Sequence, residues 1–338
     1  MTATDRDALR EPGPRLPGPR VATDVDLLTF GEALVSLRSS GPLSAGGPLT
    51  PHLAGAECNV AIGVSRLGHR AAFAGRVSDD ELGGFLVRQL RAESVQVGHV
   101  TRDPERSAGL MFLERRTADL TRVIYQRAGS AGSALCVDDL RSALAAGARV
   151  LHLTGITPAL SDSAREATTW AAETAARAGT LVCLDVNHRT KLWSRDAARA
   201  VLTPLAGHAS VVVASADELD LVGVPGADEQ TVVAGLLDRG VSTVLVKLGG
   251  DGARAYTRDG RLEAAALPVT AVDTVGAGDA FTAGYLSGHL DGLDLAGRLR
   301  RAVTLGAFAV AGYGDWEALP RRDELSLLDF RQLGDTIR

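Results

Sequence analysis

Short apolar runs alternate with longer amphipathic stretches along most of the chain. Residues 25–30 read as a buried strand that stops at Gly31, and residues 71–77 as a second strand. Between them, residues 57–67 carry helical spacing. They are closed by Gly68, which suits the left-handed position after a helix because it has no Cβ to clash. Residues 82–92 predict another helix. Further along, residues 150–154, 181–186, 211–214 and 244–248 predict strands, with helices over 164–177, 195–205 and 231–239. Strands joined by helices of this length are crossovers, which pair in parallel, and a parallel sheet needs helices on both faces. The expected fold class is α/β with a mainly parallel central sheet.

Two stretches break that rhythm. Residues 34–53 are rich in Gly, Pro and Ser with scattered apolar positions, and residues 108–113 and 121–127 read as two strands with no helix between them. Together they predict a small β appendage, at about 34–53 and 106–128, inserted in one α/β domain over 23–330. Residues 1–22 differ again. Pro12, Gly13, Pro14, Pro17, Gly18 and Pro19 alternate with arginines, and Asp5, Asp7 and Glu11 oppose a transit peptide. A disordered arm is expected there.

Charge narrows the partners. The 338 residues hold 36 basic and 41 acidic side chains, a formal net charge of −5. That balance predicts no nucleic-acid partner, and with no apolar run of about 18 residues no membrane partner is expected either. A cytoplasmic protein is expected, with Cys58, Cys136 and Cys183 as buried thiols and no zinc-type spacing. Among the basic residues only Lys191 and Lys247 are lysines. Neither sits in a Walker-A loop, so any phosphate must be handled by other groups.

The most informative string is Asp273-Thr274-Val275-Gly276-Ala277-Gly278-Asp279-Ala280-Phe281, which follows an apolar stretch and opens a helical run through Leu290. Small residues at 276–278 let backbone N–H groups converge, and a helix start behind them adds partial positive charge. Such a place suits an anion. Asp279 falls in the first helical turn, where an aspartate also serves as an ordinary dipole partner.

This string resembles the C-terminal signature of the ribokinase-like (PfkB) carbohydrate kinases. The resemblance implies a ribokinase-like fold with a β-sheet lid, and a general base at Asp279 for the attacking sugar hydroxyl. It also implies an anion hole at Gly276, Ala277 and Gly278 for the transferring phosphoryl group. ATP and Mg²⁺ would be the cofactors. Gly55-Ala56-Glu57-Cys58-Asn59 is similar to the family's substrate segment, with Gly55 allowing close approach and Asn59 meeting sugar hydroxyls. Ser215 and Glu218 match the element tied to phosphate and hydrated Mg²⁺, although the same spacing fits a capping box. Lys247, Gly249, Gly252 and Thr274 fall on the nucleotide side, and Asp273 in the loop that holds a monovalent cation such as K⁺ in many relatives. Such lids pair between subunits in the family, which implies a homodimer through the lid.

Residues 125–135, 151–160 and 184–193 resemble 2-keto-3-deoxygluconate kinases, which phosphorylate the C6 hydroxyl of a keto sugar acid. Tyr125 and Arg127, two apart on a strand, face the same side. With Arg189, Arg127 would supply charge-assisted bonds to a substrate carboxylate. Asp315, after Gly314, resembles a further substrate contact. The chain departs from the pattern at Met111, where many such kinases carry a tyrosine, and at Val303, where relatives often place an asparagine near the adenine. A fructokinase-like kinase of neutral sugars and a non-catalytic sugar sensor on the same scaffold both stay open. A dinucleotide-binding dehydrogenase lacks its glycine turn after the first strand.

Overall fold

Pairing of the strands accounts for the alternation read along the chain. A computed structural model describes residues 23–117 and 120–328, so the arm expected at 1–22 lies outside the described residues. The chain enters through β1 (Leu27–Phe30), then forms β2 (Leu34–Ser39) and β3 (Thr50–Ala54) before α1 (Ala56–Arg66). It continues through β4 (Ala71–Ser78), α2 (Glu81–Ala92), β5 (Gln96–Asp103), β6 (Gly109–Arg115), β7 (Thr121–Gln126) and α3 (Val137–Ala146). A regular alternation follows: β8 (Val150–Thr154), α4 (Asp162–Arg177), β9 (Leu181–Asp185), α5 (Arg195–Ala206), β10 (Val211–Ser215), α6 (Glu229–Asp238) and β11 (Thr243–Lys247). The hairpin of β12 (Ala253–Thr257) and β13 (Gly260–Ala264) precedes α7 (Ala277–Leu290) and α8 (Leu295–Val310).

Among the described residues, nine strands form the main sheet in the order β13-β12-β11-β10-β9-β8-β1-β4-β5. β11–β12 and β12–β13 pair antiparallel, and all other neighbours pair parallel. The architecture is the expected α/β one, a large mixed sheet flanked by helices with a smaller accessory sheet. Successive residues of a strand point to opposite faces, and the core divides accordingly. Leu27, Val150, Val211 and Val213 pack with α1, α2, α7 and α8. Leu28, Phe30, Leu151 and Val212 pack with α3 to α6. The chain steps outward from β1 in both directions, so the strand order reverses between β1 and β8. In open α/β sheets the carboxyl ends at such a reversal form the ligand crevice.

Four further strands form the smaller sheet, in the order β3-β2-β6-β7 with β2 parallel to β6. Its apolar face carries Leu34, Ala54, Met111 and Leu113, with Val123 packed against them. The Trp316 indole N–H donates to the Leu53 carbonyl at 2.9 Å and anchors the base of this sheet.

Three elements depart from the expected pattern. β5, α3 and the β12–β13 hairpin carry too few regularly spaced apolar residues to stand out in the sequence. Among the cysteines, Cys58 and Cys183 are buried, but Cys136 is only partly so. It precedes α3, where its backbone N–H donates to Asp139 at 2.9 Å and its thiol lies 3.8 Å from Arg76.

Close helix packing around α7 depends on glycine. A Cβ at Gly284 would lie 2.6 Å from the Arg301 carbonyl of α8, whereas a Cβ at Gly235 in α6 would meet nothing within 4 Å. Gly284→Ala is therefore expected to destabilise the fold by about 1–3 kcal/mol through overpacking. Gly235→Ala should stabilise it by about 0.5–1 kcal/mol through helix propensity. Urea unfolding of both variants beside the parent checks the opposite signs.

Candidate active site

The carboxyl ends of the strands and the start of α7 meet at the reversal of strand order. Gly31 and Glu32 follow β1, Asn187 and Arg189 follow β9, Ser215 and Lys247 end β10 and β11, and Gly276 caps α7. All of these except Gly31 line a cavity of about 450 Å³, which Met111, Leu113 and Val123 of the smaller sheet help to enclose. Of the residues expected from the sequence, Gly55, Asn59, Tyr125, Arg127, Arg189, Ser215, Glu218, Lys247, Thr274, Gly276, Gly278, Asp279 and Asp315 lie on its wall. Ala277, Asp273, Gly249 and Gly252 do not.

Asp279 is buried, at 7% exposure, in the first turn of α7. Its Oδ2 accepts a hydrogen bond from the Asn59 amide at 2.8 Å, and its Oδ1 one from the Asn187 amide at 3.2 Å. Burial lifts its pKa above the ordinary aspartate value; the Asn59 bond pulls it back, and nearby Asp185 adds to the rise. A carboxylate with a raised pKa that faces a cavity is equipped to accept a proton near neutral pH.

Gly276 takes the left-handed conformation at φ +74°, and a Cβ there would stand 2.0 Å from the Asp315 carbonyl. Only glycine fits. The amides of Gly276 and Gly278 have no protein acceptor among the described residues, whereas the Ala277 amide is turned back to the Thr274 carbonyl at 3.4 Å. The two glycine amides and the positive end of α7 thus form a small turn chemically suited to an anion. Asp273 braces this loop, accepting from Val275 N–H at 3.1 Å and Gly314 N–H at 3.4 Å.

Lys247 faces the same turn, its Nζ 3.4 Å from where a Cβ on Gly278 would be. The ammonium donates to Asp185 at 2.9 and 3.2 Å. Burial works against its charge, but Asp185 and Glu218 outweigh burial and hold its pKa above the ordinary value. Asp185 also accepts from Thr282 of α7 at 2.9 Å. Glu218 accepts from Ser215 N–H at 2.9 Å and from His188 N–H at 2.7 Å, so the capping-box contact forms and the carboxylate lines the cavity as well. Gly249 and Gly252 shape the turn into β12. Gly252 leaves no room for a Cβ, which would be 2.0 Å from the Ala264 carbonyl, while Gly249 opens onto free space.

On the other side, Gly55 at φ +130° brings the start of α1 against the Glu32 carbonyl. Arg127 is not free. Its guanidinium is paired with buried Glu32, Nε donating at 2.7 Å. Arg189 is exposed on the wall; among the described residues it donates to the His188 carbonyl at 3.4 Å, and its charge pulls the Asp279 pKa down. Tyr125 lies under both Arg127 and Lys191, at 5.6 and 6.0 Å from its ring centre. Asp315 accepts from Arg38 of β2 at 2.9 Å; burial pushes its pKa to about 7 against the pull of Arg38.

Sequence reasoning did not single out Asn187, Asp185, Glu32 or Glu57 as site residues. Asn187 stands two residues before Arg189 in a string already marked, and its left-handed φ of +38° is its only local peculiarity. Glu57 is buried and accepts from Thr154 and Thr157 at 2.5 and 2.7 Å, tying α1 to the end of β8. With it, the cavity wall carries five carboxylates (Glu32, Glu57, Glu218, Asp279, Asp315) and three cations (Arg127, Arg189, Lys247).

Comparison with known proteins finds relatives over most of the chain. The family described as pfkB family carbohydrate kinase matches residues 26–322. A 2-dehydro-3-deoxygluconokinase of Thermoproteus tenax is 37% identical over 303 residues, covering 88% of this chain and 91% of that protein. A 5-dehydro-2-deoxygluconokinase of Clostridium perfringens is 32% identical, covering 87% and 90%. The crystal structure of a PfkB protein from Polaromonas sp. JS666 superposes with a TM-score of 0.81 at 34% identity, over 89% of this chain and 99% of that one.

Two outcomes follow from the geometry of Asp279 and its turn. Because the Asn59 bond favours the charged carboxylate, Asn59→Ala should raise the Asp279 pKa further. The acid limb of turnover against pH, where the base becomes protonated and activity falls, should then move to higher pH. Gly276→Ala should cost about 100-fold or more in kcat, since the turn cannot form. Gly278→Ala, whose Cβ finds ordinary contact distance, should leave the melting temperature close to that of the parent while Gly276→Ala lowers it.

Proposed function

Because the chain belongs to the pfkB family of carbohydrate kinases, we propose that it transfers the γ-phosphoryl group of ATP to the C6 hydroxyl of 2-keto-3-deoxygluconate or its galactonate epimer. The observation that carries the proposal is a buried carboxylate, Asp279, held by two amides beside a glycine anion turn, in a cavity with one arginine left uncommitted.

In this reading Asp279 takes the proton of the sugar hydroxyl as its oxygen attacks the γ-phosphorus. The bond from phosphorus to the oxygen bridging to ADP breaks, and ADP leaves. The Gly276 and Gly278 amides meet the charge on the transferring group, and Lys247 supports them from the nucleotide side. Glu218 has acceptor capacity beyond its two backbone bonds, which fits a Mg²⁺ held through its water shell. When bound, that ion would neutralise phosphate charge. Asp273 would hold K⁺ through its remaining lone pairs. The smaller sheet acts as a lid over the sugar and excludes water that would otherwise compete for the phosphoryl group. Pairing of two lids into a homodimer belongs to the same proposal.

Arg189 supports a sugar acid over a neutral sugar. Among the described residues it is the cation on the wall that makes no ion pair, its hydrogen bond going to a carbonyl, so a substrate carboxylate gains a charge-assisted bond without displacing another anion. Met111, in place of an aromatic hydroxyl, adds an apolar side chain to a lid side that also presents Tyr125 and Arg127.

ADP release measured over a panel of 2-keto-3-deoxygluconate, its galactonate epimer, 5-keto-2-deoxygluconate and fructose tests the reading. The first two should give the highest kcat/KM. Activity on fructose with none on the keto acids would sink it in favour of a neutral-sugar kinase, and absence of turnover on every sugar would favour a sensor. Arg189→Gln should raise KM for the keto acid about 10- to 100-fold, the scale of a lost hydrogen bond to a charged group, with little change for fructose.

A further inference from the structure

Glu32 is an acidic residue set between Gly31 and Ala33 at the end of the central strand, and it is buried at 2% exposure. Its carboxylate makes two sets of contacts. Oε2 accepts from the Arg127 guanidinium through both Nε and Nη2, and Oε1 accepts from the Ser130 hydroxyl. Its surroundings are shaped to its side chain. A Cβ at Gly109 would lie 2.3 Å from Oε1, and one at Gly132 would lie 2.3 Å from Cγ. Gly109 begins β6 of the lid and Gly132 lies in the turn after Ser130, so the carboxylate sits where the lid strands join the main domain.

An arginine held through Nε and one Nη keeps the donors of its other Nη for a second acceptor, in the plane the first pair sets. Nη1 of Arg127 has no protein partner among the described residues, and the side chain lines the cavity. We propose that Glu32 is a positioning residue for recognition of the substrate acid, fixing the Arg127 guanidinium so that its remaining donors meet the carboxylate. This rests on the proposed sugar-acid substrate and adds Arg127, through Nη1, to Arg189 as a contact of its carboxylate.

Simple charge counting and positioning predict opposite signs here. Glu32→Gln leaves the Arg127 charge uncompensated, and if net charge governed binding the anionic substrate would bind more tightly. If Glu32 acts by holding the guanidinium, the same substitution weakens binding.

Steady-state kinetics of Glu32→Gln, Arg127→Gln and the double variant decide between them. The expected result is a rise of 10-fold or more in KM for the keto acid in Glu32→Gln. The fall in kcat should be smaller than that rise, KM for ATP should be unchanged, and there should be no further rise when Glu32→Gln is added to Arg127→Gln. An unchanged or lower keto-acid KM in Glu32→Gln overturns the proposal, as do additive effects in the double variant. If Arg127→Gln alone leaves the keto-acid KM unchanged, the underlying role of Arg127 falls and the proposal with it, a result distinct from the additive one. Ser130→Ala removes the hydroxyl donor to Glu32, together with the acceptor of the Ser133 N–H at 3.2 Å, and supplies a milder variant should Glu32→Gln fail to fold. A rise of about 3-fold in keto-acid KM is expected, and no change would overturn the proposal.

Discussion

Keeping one carboxylate buried, yet able to carry charge, is the constraint that organises this molecule. An ionised carboxylate taken out of water costs several kcal/mol unless hydrogen bonds and opposite charge compensate. Asp279 obtains that compensation from three directions: Asn59 on α1, Asn187 after β9, and the positive end of its own helix. Each contribution demands a particular backbone. α1 can begin close to β1 because Gly55 has no side chain to strike the Glu32 carbonyl. Asn187 adopts a left-handed conformation that asparagine tolerates better than most residues. Two residues earlier, Asp185 binds both Lys247 and Thr282, so the strand ends and α7 are held in register by the same short segment.

The electrostatics of the cavity follow from pairing rather than from the number of arginines. Most cations near the site already have a carboxylate: Lys247 has Asp185, Arg127 has Glu32, and Arg38 has Asp315 and Glu317. Arg189 makes no ion pair among the described residues, and its hydrogen bond goes to a carbonyl. With five carboxylates against three cations on the wall, the lining cannot attract a bare polyphosphate by charge alone. It suits a phosphate already neutralised by a divalent cation, with backbone amides making the final contacts. Burial raises the pKa values of Glu32, Glu57 and Asp315 and outweighs the nearby donors; neighbouring carboxylates add to the rise at Glu57 and Asp315.

The sequence was legible where chemistry is local. Strands buried on both faces read as continuous apolar runs, and the turn at 276–279 reads directly because its residue types serve neighbours in the chain. The misses share a cause. β5 lies at the sheet edge, where Gln96, Gly98 and Arg102 face solvent and the apolar signal is diluted. Glu32, Asn187 and Asp185 matter through partners 95, 92 and 62 residues away, and no spacing rule connects them. Arg127 was legible as a residue facing the site but not as one half of a buried pair. Ala277, inside the most telling string of the chain, turns its amide toward Thr274. A motif identifies which residues share a turn, and only the backbone says which of their amides point outward.

Cover and base are linked by the same physics. The smaller sheet is fixed at both ends, by Arg127 on Glu32 beside the main sheet and by Arg38 on Asp315 beside the turn at Gly276. Between these pins its apolar residues Leu34, Met111, Leu113 and Val123 line the cavity. Removing water there strengthens every charge–dipole contact beneath, and it also raises the cost of an ionised Asp279. The desolvation that lifts this aspartate toward a useful base is thus supplied partly by the cover. A cavity open to solvent would return Asp279 toward an ordinary carboxylate and, at the same moment, admit the water that competes with the sugar hydroxyl. In the proposed reading, with Asp279 as the base, cover and base act together: the sheet that excludes water also keeps the carboxylate desolvated.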